Sequence, residues 1–320
     1  MIISASRRTD ITAFYSEWFF NRIKEGYCTV PNPFDANQIY FVDLKPKSVT
    51  AIVFWTRNAL PLMKNLKVLD EKNYNYYFQF TINNYRVPYE PYNPSLETAL
   101  KSFKQLADKL GTGKVIWRYD PILFTNDLTL DFHKENFSII FNELNGHTKR
   151  IVISIIDDYK KTLRRLNKLE TNYEENQISK PQVEELLKFI VDKADTKGIK
   201  VESCAEEKDF GHLGIAHGKC IDDRLLKEEF GIDLAFKKDK NQRLPCGCMV
   251  SKDIGVNNTC LMGCEYCYAT TSHSSALNNR KKHDPNFSSL LVHKMSEEMK
   301  EKIKAFKQQQ NFTEQQMVLF

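Results

Sequence analysis

Long apolar runs and an export signal are both missing from the sequence. No uninterrupted apolar stretch among its 320 residues approaches the about eighteen residues of a membrane span. The N-terminus, Met1–Arg8, lacks the charged-then-apolar order of a signal peptide. These absences argue against a membrane or exported protein, and we expect a cytoplasmic one.

A strong charge of either sign is also missing. Lys and Arg number 46 against 41 Asp and Glu, and the resulting net charge of +5 is spread along the chain. Proteins that bind nucleic acid usually concentrate a basic excess on one face. Charge alone therefore supports a nucleic-acid partner only weakly.

Cysteine is scarce in the first 200 residues, where Cys28 stands alone, and seven of the eight Cys follow residue 200. In the reducing cytosol such thiols serve as metal ligands or buried apolar groups rather than as disulfides. We expect Cys28 to be a buried small hydrophobe. The later thiols indicate a metal-binding segment.

Three of these thiols, Cys260, Cys264 and Cys267, have C-x3-C-x2-C spacing on one short stretch. Structural zinc usually takes four ligands in two pairs, whereas three closely spaced thiols suit three corners of an iron–sulfur cube and leave one iron open. An iron with an open coordination position indicates a catalytic role. A zinc-stabilised knuckle that binds a partner without catalysis stays open as an alternative.

A second thiol set consists of Cys204, Cys220, Cys246 and Cys248. Four is the ligand count of a closed [4Fe-4S] cluster or of a structural zinc site. The irregular spacing leaves a second cluster, a zinc site and unligated thiols all open, with His212 and His217 as substitute ligands.

Six short segments rich in β-branched and aromatic residues alternate with helical patterns, which is typical of βα units and a parallel sheet. We predict strands at residues 2–6, 51–56, 74–82, 114–119, 150–156 and 198–204. Helices are expected around Phe14–Ile23, from the Ser95 cap to Leu110, and at about residues 131–145, 181–196 and 288–307. Residues 27–48 read as a loop with one extra strand, and Asp10 as a possible helix cap.

The predicted strands end in polar residues, and in βα barrels the carboxyl ends of strands carry function. Arginines are suited to bidentate contacts with a carboxylate or phosphate of a substrate. The candidate substrate-binding residues are Arg7, Arg8, Arg57 and Arg118.

The motif C-x3-C-x-aromatic-C, complete in Cys260, Cys264, Tyr266 and Cys267, resembles the signature of radical S-adenosylmethionine (SAM) enzymes. This resemblance implies a [4Fe-4S] cluster, bound SAM, a reductant such as flavodoxin or ferredoxin, and a 5′-deoxyadenosyl radical acting on an unknown substrate. The superfamily's Gly-Gly-Glu motif is absent. Candidate contacts to SAM are Thr81, Asn83, Asp120, Ser154, Glu202 and Tyr266.

The same resemblance implies a partial (β/α)6 TIM-like barrel over residues 1–210, followed by a loop-rich, Cys-containing segment over 211–320. Radical SAM enzymes usually carry the Cys loop after the first strand. Here the loop is permuted towards the C-terminal end.

Residues Asn258–Ala269 look most like the Cys loop of spore photoproduct lyase, which acts on nucleic acid. A nucleic-acid repair or modification enzyme is therefore an alternative, with Arg280–His283, Tyr266 and Tyr268 as strand contacts. Over its whole length the chain resembles an uncharacterised bacterial family, domain of unknown function 1848, which implies no substrate.

Overall fold

The structure, a computed structural model, describes residues 1–35 and 38–318, with side chains up to residue 309. Ten strands lie in this part of the chain. They are β1 Ile2–Ala5, β2 Tyr27–Pro31, β3 Ile39–Asp43, β4 Ala51–Thr56, β5 Tyr76–Thr81, β6 Val115–Ile122, β7 Arg150–Ile155, β8 Lys200–Ser203, β9 Ala216–His217 and β10 Lys252–Asp253.

Eleven α-helices lie in the same described ranges. They are α1 Ile11–Phe14, α2 Ser16–Glu25, α3 Leu60–Met63, α4 Lys67–Glu71, α5 Leu96–Leu110, α6 Leu130–Leu144, α7 Lys160–Leu166, α8 Pro181–Asp195, α9 Asp223–Phe230, α10 His273–Arg280 and α11 Glu297–Val318. None of the helices described is both long enough and apolar enough to cross a membrane.

Eight strands form one parallel sheet in the order β10-β1-β4-β5-β6-β7-β8-β9. All six strands predicted from the sequence are present in it, so the prediction of an α/β fold with a parallel sheet is confirmed. Within the described residues the sheet does not close into a barrel. The short strand β10 pairs with β1, with Ile3 opposite Lys252 and Ser4 opposite Asp253.

Alternation along each strand sends side chains to two different cores. Ile3 and Phe54 belong to a core that includes residues of the helices between the strands. Ile2 and Val53 point the other way and pack with Leu225 of α9 and with the Cys220–Met249 region. Residues in the range 220–249 therefore cover the second face of the sheet.

Local sequence explains where the predicted helices begin and end. The Ser95 hydroxyl accepts a hydrogen bond from the Thr98 N–H at the start of α5, and the Asp10 carboxylate caps α1 through the Ala13 N–H. Helix α2 ends at Gly26, whose φ of 73° lies in the left-handed region that favours glycine.

Two sequence predictions need correction. Residues 27–48 were expected to hold a loop and one extra strand, but Tyr27–Pro31 form a further strand, β2, which pairs antiparallel with the predicted one, β3. The helix expected from residue 288 starts at Glu297 instead and runs to Val318. The physical reason is that Ser288 is held by β2: its carbonyl accepts the Thr29 N–H at 2.8 Å, and the two hydroxyls bond as well.

Candidate functional site

A cavity of about 350 Å³ opens at the carboxyl ends of the parallel strands. Its wall combines the polar strand ends with both thiol sets. Of the residues singled out in the sequence, those lining it are Arg7, Arg8, Asp10, Arg57, Thr81, Arg118, Asp120, Ser154, Tyr266, Tyr268, Cys204, Cys220, Cys246, Cys248, Cys260, Cys264 and Cys267. Residues as far apart in sequence as Arg7 and Cys267 therefore share one pocket, because parallel strands bring their ends to one edge.

Strand β10 brings the Cys260–Cys267 loop to this edge. The Asp253 carboxylate accepts hydrogen bonds from the Ser4 and Ser6 hydroxyls, both at 2.6 Å, and from the Arg7 N–H at 2.8 Å. Gly255 follows so close to β1 that a Cβ there would lie 2.1 Å from Ser6 Oγ. The loop therefore leaves the sheet beside the end of β1.

The three loop thiols have few polar partners of their own. Asn93 Nδ2 donates to Cys264 Sγ at 3.2 Å, and the Ala269 N–H donates to Cys267 Sγ at 3.3 Å. Burial raises the pKa of Cys264 to about 11 and also raises that of Cys260. Such partly buried thiols form thiolates more readily when a cation or metal stabilises the charge.

Arg165 of α7 fixes the backbone of the Cys loop. Its Nε donates to the Glu265 carbonyl at 2.8 Å, and its Nη1 donates to the Thr270 carbonyl at 2.7 Å. Its Nη2 donates to the Cys267 carbonyl. One guanidinium thus satisfies carbonyls on both sides of the last thiol.

Tyr266, the aromatic residue of the motif, is held by a buried polar cluster. Its hydroxyl donates to the Glu90 carboxylate and accepts hydrogen bonds from Arg57 Nη2 at 2.6 Å and Asn83 Nδ2 at 3.2 Å. Arg57 also forms an ion pair with Glu90 at 2.7 Å. Arg57 is therefore occupied by the protein itself, and its position favours a role in orienting the Cys loop.

The neighbouring arginine, Arg118, is likewise engaged. It donates to Asp120 Oδ2 from Nε at 2.9 Å and from Nη2 at 2.6 Å, and to Cys220 Sγ from Nη1 at 2.9 Å. Ser154 donates to the other oxygen of Asp120. Arg118 links the strand ends to the second thiol set.

Arg7 contrasts with these two arginines. Its guanidinium lies 5.0 Å from the centre of the Trp55 ring. Its Nη2 is buried and, among the described residues, has no hydrogen-bond partner. A buried guanidinium nitrogen without an acceptor is costly, so the cavity offers a place for an anionic group at Arg7.

Two predicted residues lie outside the cavity wall. Asn83 contacts Tyr266 and exchanges hydrogen bonds with the backbone of Asp120 at 2.9 and 2.8 Å. Glu202 is buried in an ion-pair network with Arg150 at 3.4 Å and Arg224 at 3.3 Å. The structure therefore places Glu202 away from the pocket, where its carboxylate neutralises arginines.

The basic run considered for nucleic acid is partly engaged in packing. Arg280 lies over the Tyr15 ring at 5.0 Å, and His283 Nδ1 is 2.7 Å from the Leu290 carbonyl.

Four residues of the site were not found from the sequence: Glu90, Asn93, Arg165 and Asp253. Each contacts a segment that is distant in sequence, and no local sequence motif indicates such a contact.

No group of three or more His, Cys, Asp or Glu side chains in the described part of the chain stands in ready metal-ligand geometry. The donor set nevertheless fits soft-metal ligation, since seven thiols line a single cavity.

The fold and site define an α/β protein with a parallel sheet and a thiol-lined cavity at its carboxyl edge. The chain belongs to the family described as Domain of unknown function (DUF1848), whose model matches residues 2–269. The match ends two residues after Cys267 and so includes both thiol sets. No curated protein matches the chain.

Proposed function

We propose that the protein is a radical SAM enzyme in which Cys260, Cys264 and Cys267 hold a [4Fe-4S] cluster. The observation that carries this proposal is the position of the Cys loop. The loop follows β10, which lies parallel to and beside β1, and its three thiols line the cavity at the carboxyl ends of the strands.

This position accounts for the permuted sequence. In the superfamily that the motif resembles, the Cys loop follows the first strand of a partial barrel. Here β10 is late in sequence, but in space it is the strand at the edge of the sheet, next to β1. The loop thus follows the strand that comes first in the spatial order of the sheet. This order supports a partial (β/α) barrel of radical SAM type.

The thiols fit three corners of a cube with one open iron. Among the described contacts no hydrogen bond joins any two of Cys260, Cys264 and Cys267, which leaves their sulfur atoms free to face separate irons. When bound, the cluster would supply the electron that splits SAM into methionine and a 5′-deoxyadenosyl radical able to abstract hydrogen. The cavity, about 350 Å³, is of the size that small ligands occupy.

The chain's own residues would position and enclose the reactants. Tyr266, held by Arg57 and Glu90, and the backbone held by Arg165 keep the loop in one conformation. Thr81, Asp120 and Ser154 offer oxygens for the ribose and ammonium of SAM. Arg7 and Arg8 remain for an anionic group of the substrate, Arg7 through its unpaired nitrogen.

The proposal includes a one-electron reductant such as flavodoxin or ferredoxin as partner. It also places the protein in the cytoplasm, where thiols remain reduced and available for cluster assembly. The substrate stays unassigned.

Anaerobic reconstitution with iron and sulfide tests the proposal. The wild type should take up iron and sulfide and, with a strong reductant, convert SAM to 5′-deoxyadenosine and methionine. Cys267→Ala should do neither at this site. Cys28→Ala is the matched control because Cys28 is buried away from the cavity lining. A wild-type protein that incorporates no iron, or that carries a cluster yet neither binds nor cleaves SAM, would refute the proposal.

A further inference from the structure

The second thiol set gathers three distant segments. Cys204 directly follows β8, Cys220 follows β9, and Cys246 and Cys248 precede β10. All four line the cavity, and three of them are buried. The proposed function of the Cys260 loop uses its own three thiols and assigns no role to these four.

The four sulfur atoms form a connected chain. Cys204 Sγ lies 3.1 Å from Cys220 Sγ. The thiols of Cys220 and Cys246 both hydrogen-bond to Cys248, whose Sγ also accepts the Ile221 N–H at 3.4 Å. These contacts contrast with the Cys260 loop, where no thiol bonds to another among the described residues.

One cationic side chain lies directly against these sulfurs. The Arg118 guanidinium donates to Cys220 Sγ at 2.9 Å. Four thiolates around a divalent ion carry a net charge of −2, and this guanidinium offsets half of it in direct contact.

The distance between sulfur atoms distinguishes a site for a single metal ion from a site for an iron–sulfur cube. Around a single ion with bonds of about 2.3 Å, tetrahedral geometry places sulfurs about 3.8 Å apart. In a cube each thiolate sits on its own iron, so the sulfurs are farther apart. The Cys204–Cys220 distance of 3.1 Å is nearer to the first spacing than to the second.

We propose that Cys204, Cys220, Cys246 and Cys248 bind one thiophilic divalent ion, of the Zn²⁺ or Fe²⁺ type, in a tetrathiolate site. The site forms one wall of the cavity and is independent of the Cys260 loop. It ties the end of β8 and the segment after β9 to the segment that leads into β10 at the opposite edge of the sheet. The metal thereby fixes the strand that positions the Cys loop.

The test uses the full chain with Cys260, Cys264 and Cys267 all replaced by Ala, so that bound metal reports on the second set alone. After anaerobic loading with Zn²⁺, we expect about one ion per chain, with X-ray absorption showing four sulfur ligands at about 2.3 Å. Loading with Co²⁺ should give the intense visible absorption of a tetrahedral thiolate site. Adding Cys248→Ser should abolish both signals, and adding Cys28→Ser should leave them unchanged.

Three results would overturn this assignment. They are iron and sulfide in about a four-to-four ratio on the second set after anaerobic reconstitution, free alkylation of its four thiols with no metal retained, or a Cys204–Cys220 disulfide in protein purified under reductant. If the triple variant fails to fold, wild type and the Cys248→Ser variant are each loaded with Co²⁺ without iron and sulfide, and the difference between their spectra reports on the second set. Loss of SAM cleavage in the Cys267→Ala variant bears on the Cys260 loop only, so the two proposals fail separately.

Discussion

Replacing Arg165 by Met should loosen the Cys loop while leaving most of the fold intact. The change keeps an unbranched apolar stem in place of the aliphatic part of Arg165 and removes its hydrogen bonds to the carbonyls of Glu265, Cys267 and Thr270. A hydrogen bond to a charged group contributes about 1.5–3 kcal/mol. The Arg165 side chain is only 14% exposed, but water would replace part of what is lost. We therefore expect a local cost of about 3 kcal/mol rather than the sum of three bonds.

Alkylation of thiols in the metal-free protein measures this cost. If the loop opens before it reacts, about 3 kcal/mol corresponds to roughly a hundredfold faster alkylation of Cys260 and Cys264, followed by mass spectrometry. Arg164→Met is the matched control, because Arg164 lies on the same helix and is exposed. Equal rates in the two variants would refute the role of Arg165. An equal rise at Cys204 would indicate global rather than local opening.

Three further changes test other contacts. Gly255→Ala should lower the free energy of unfolding by about 1–3 kcal/mol in urea denaturation, because its Cβ would lie 2.1 Å from Ser6 Oγ; an unchanged midpoint would contradict this close approach. Glu90→Gln should cost about 2–4 kcal/mol, since it leaves the Arg57 charge buried without a counter-charge, and wild-type stability would argue against a buried pair. Burial lowers the pKa of His133 to about 4, so only the unfolded chain takes up a proton between about pH 6.5 and 4, and stability should fall by up to about 3 kcal/mol as pH falls through this window. His133→Gln should lack this component of the pH profile, and parallel profiles would refute it.

The regular part of the fold was predictable because its signals are local. The strands at Ala51–Thr56 and Arg150–Ile155 are short β-branched runs, and α5 has both a Ser95 cap and an apolar stripe. Strand β10 was not found because its two residues are too few for a pattern. Yet this strand decides where the Cys loop lies.

The site was predictable only in part, for the same reason. Polar strand ends and closely spaced thiols are visible in sequence, and most of these residues line the cavity. Glu202 was wrongly expected at the cavity because side chains near a strand end point to either face of the sheet, and its partners Arg150 and Arg224 are distant in sequence. Glu90 and Arg165 belong to no recognisable sequence motif, since the role of each is to hold the Cys loop, which is distant in sequence.

The pairing of β10 with β1 has a consequence for synthesis on the ribosome. Strand β1, Ile2–Ala5, is made well before β10, and its outer edge is covered only when Lys252–Asp253 have emerged. Until then the nascent chain presents unpaired backbone N–H and C=O groups at one end of the sheet, which is a surface prone to association. The Cys loop follows soon after β10, so the exposed edge of the sheet is covered and the cavity is completed at about the same late stage of synthesis.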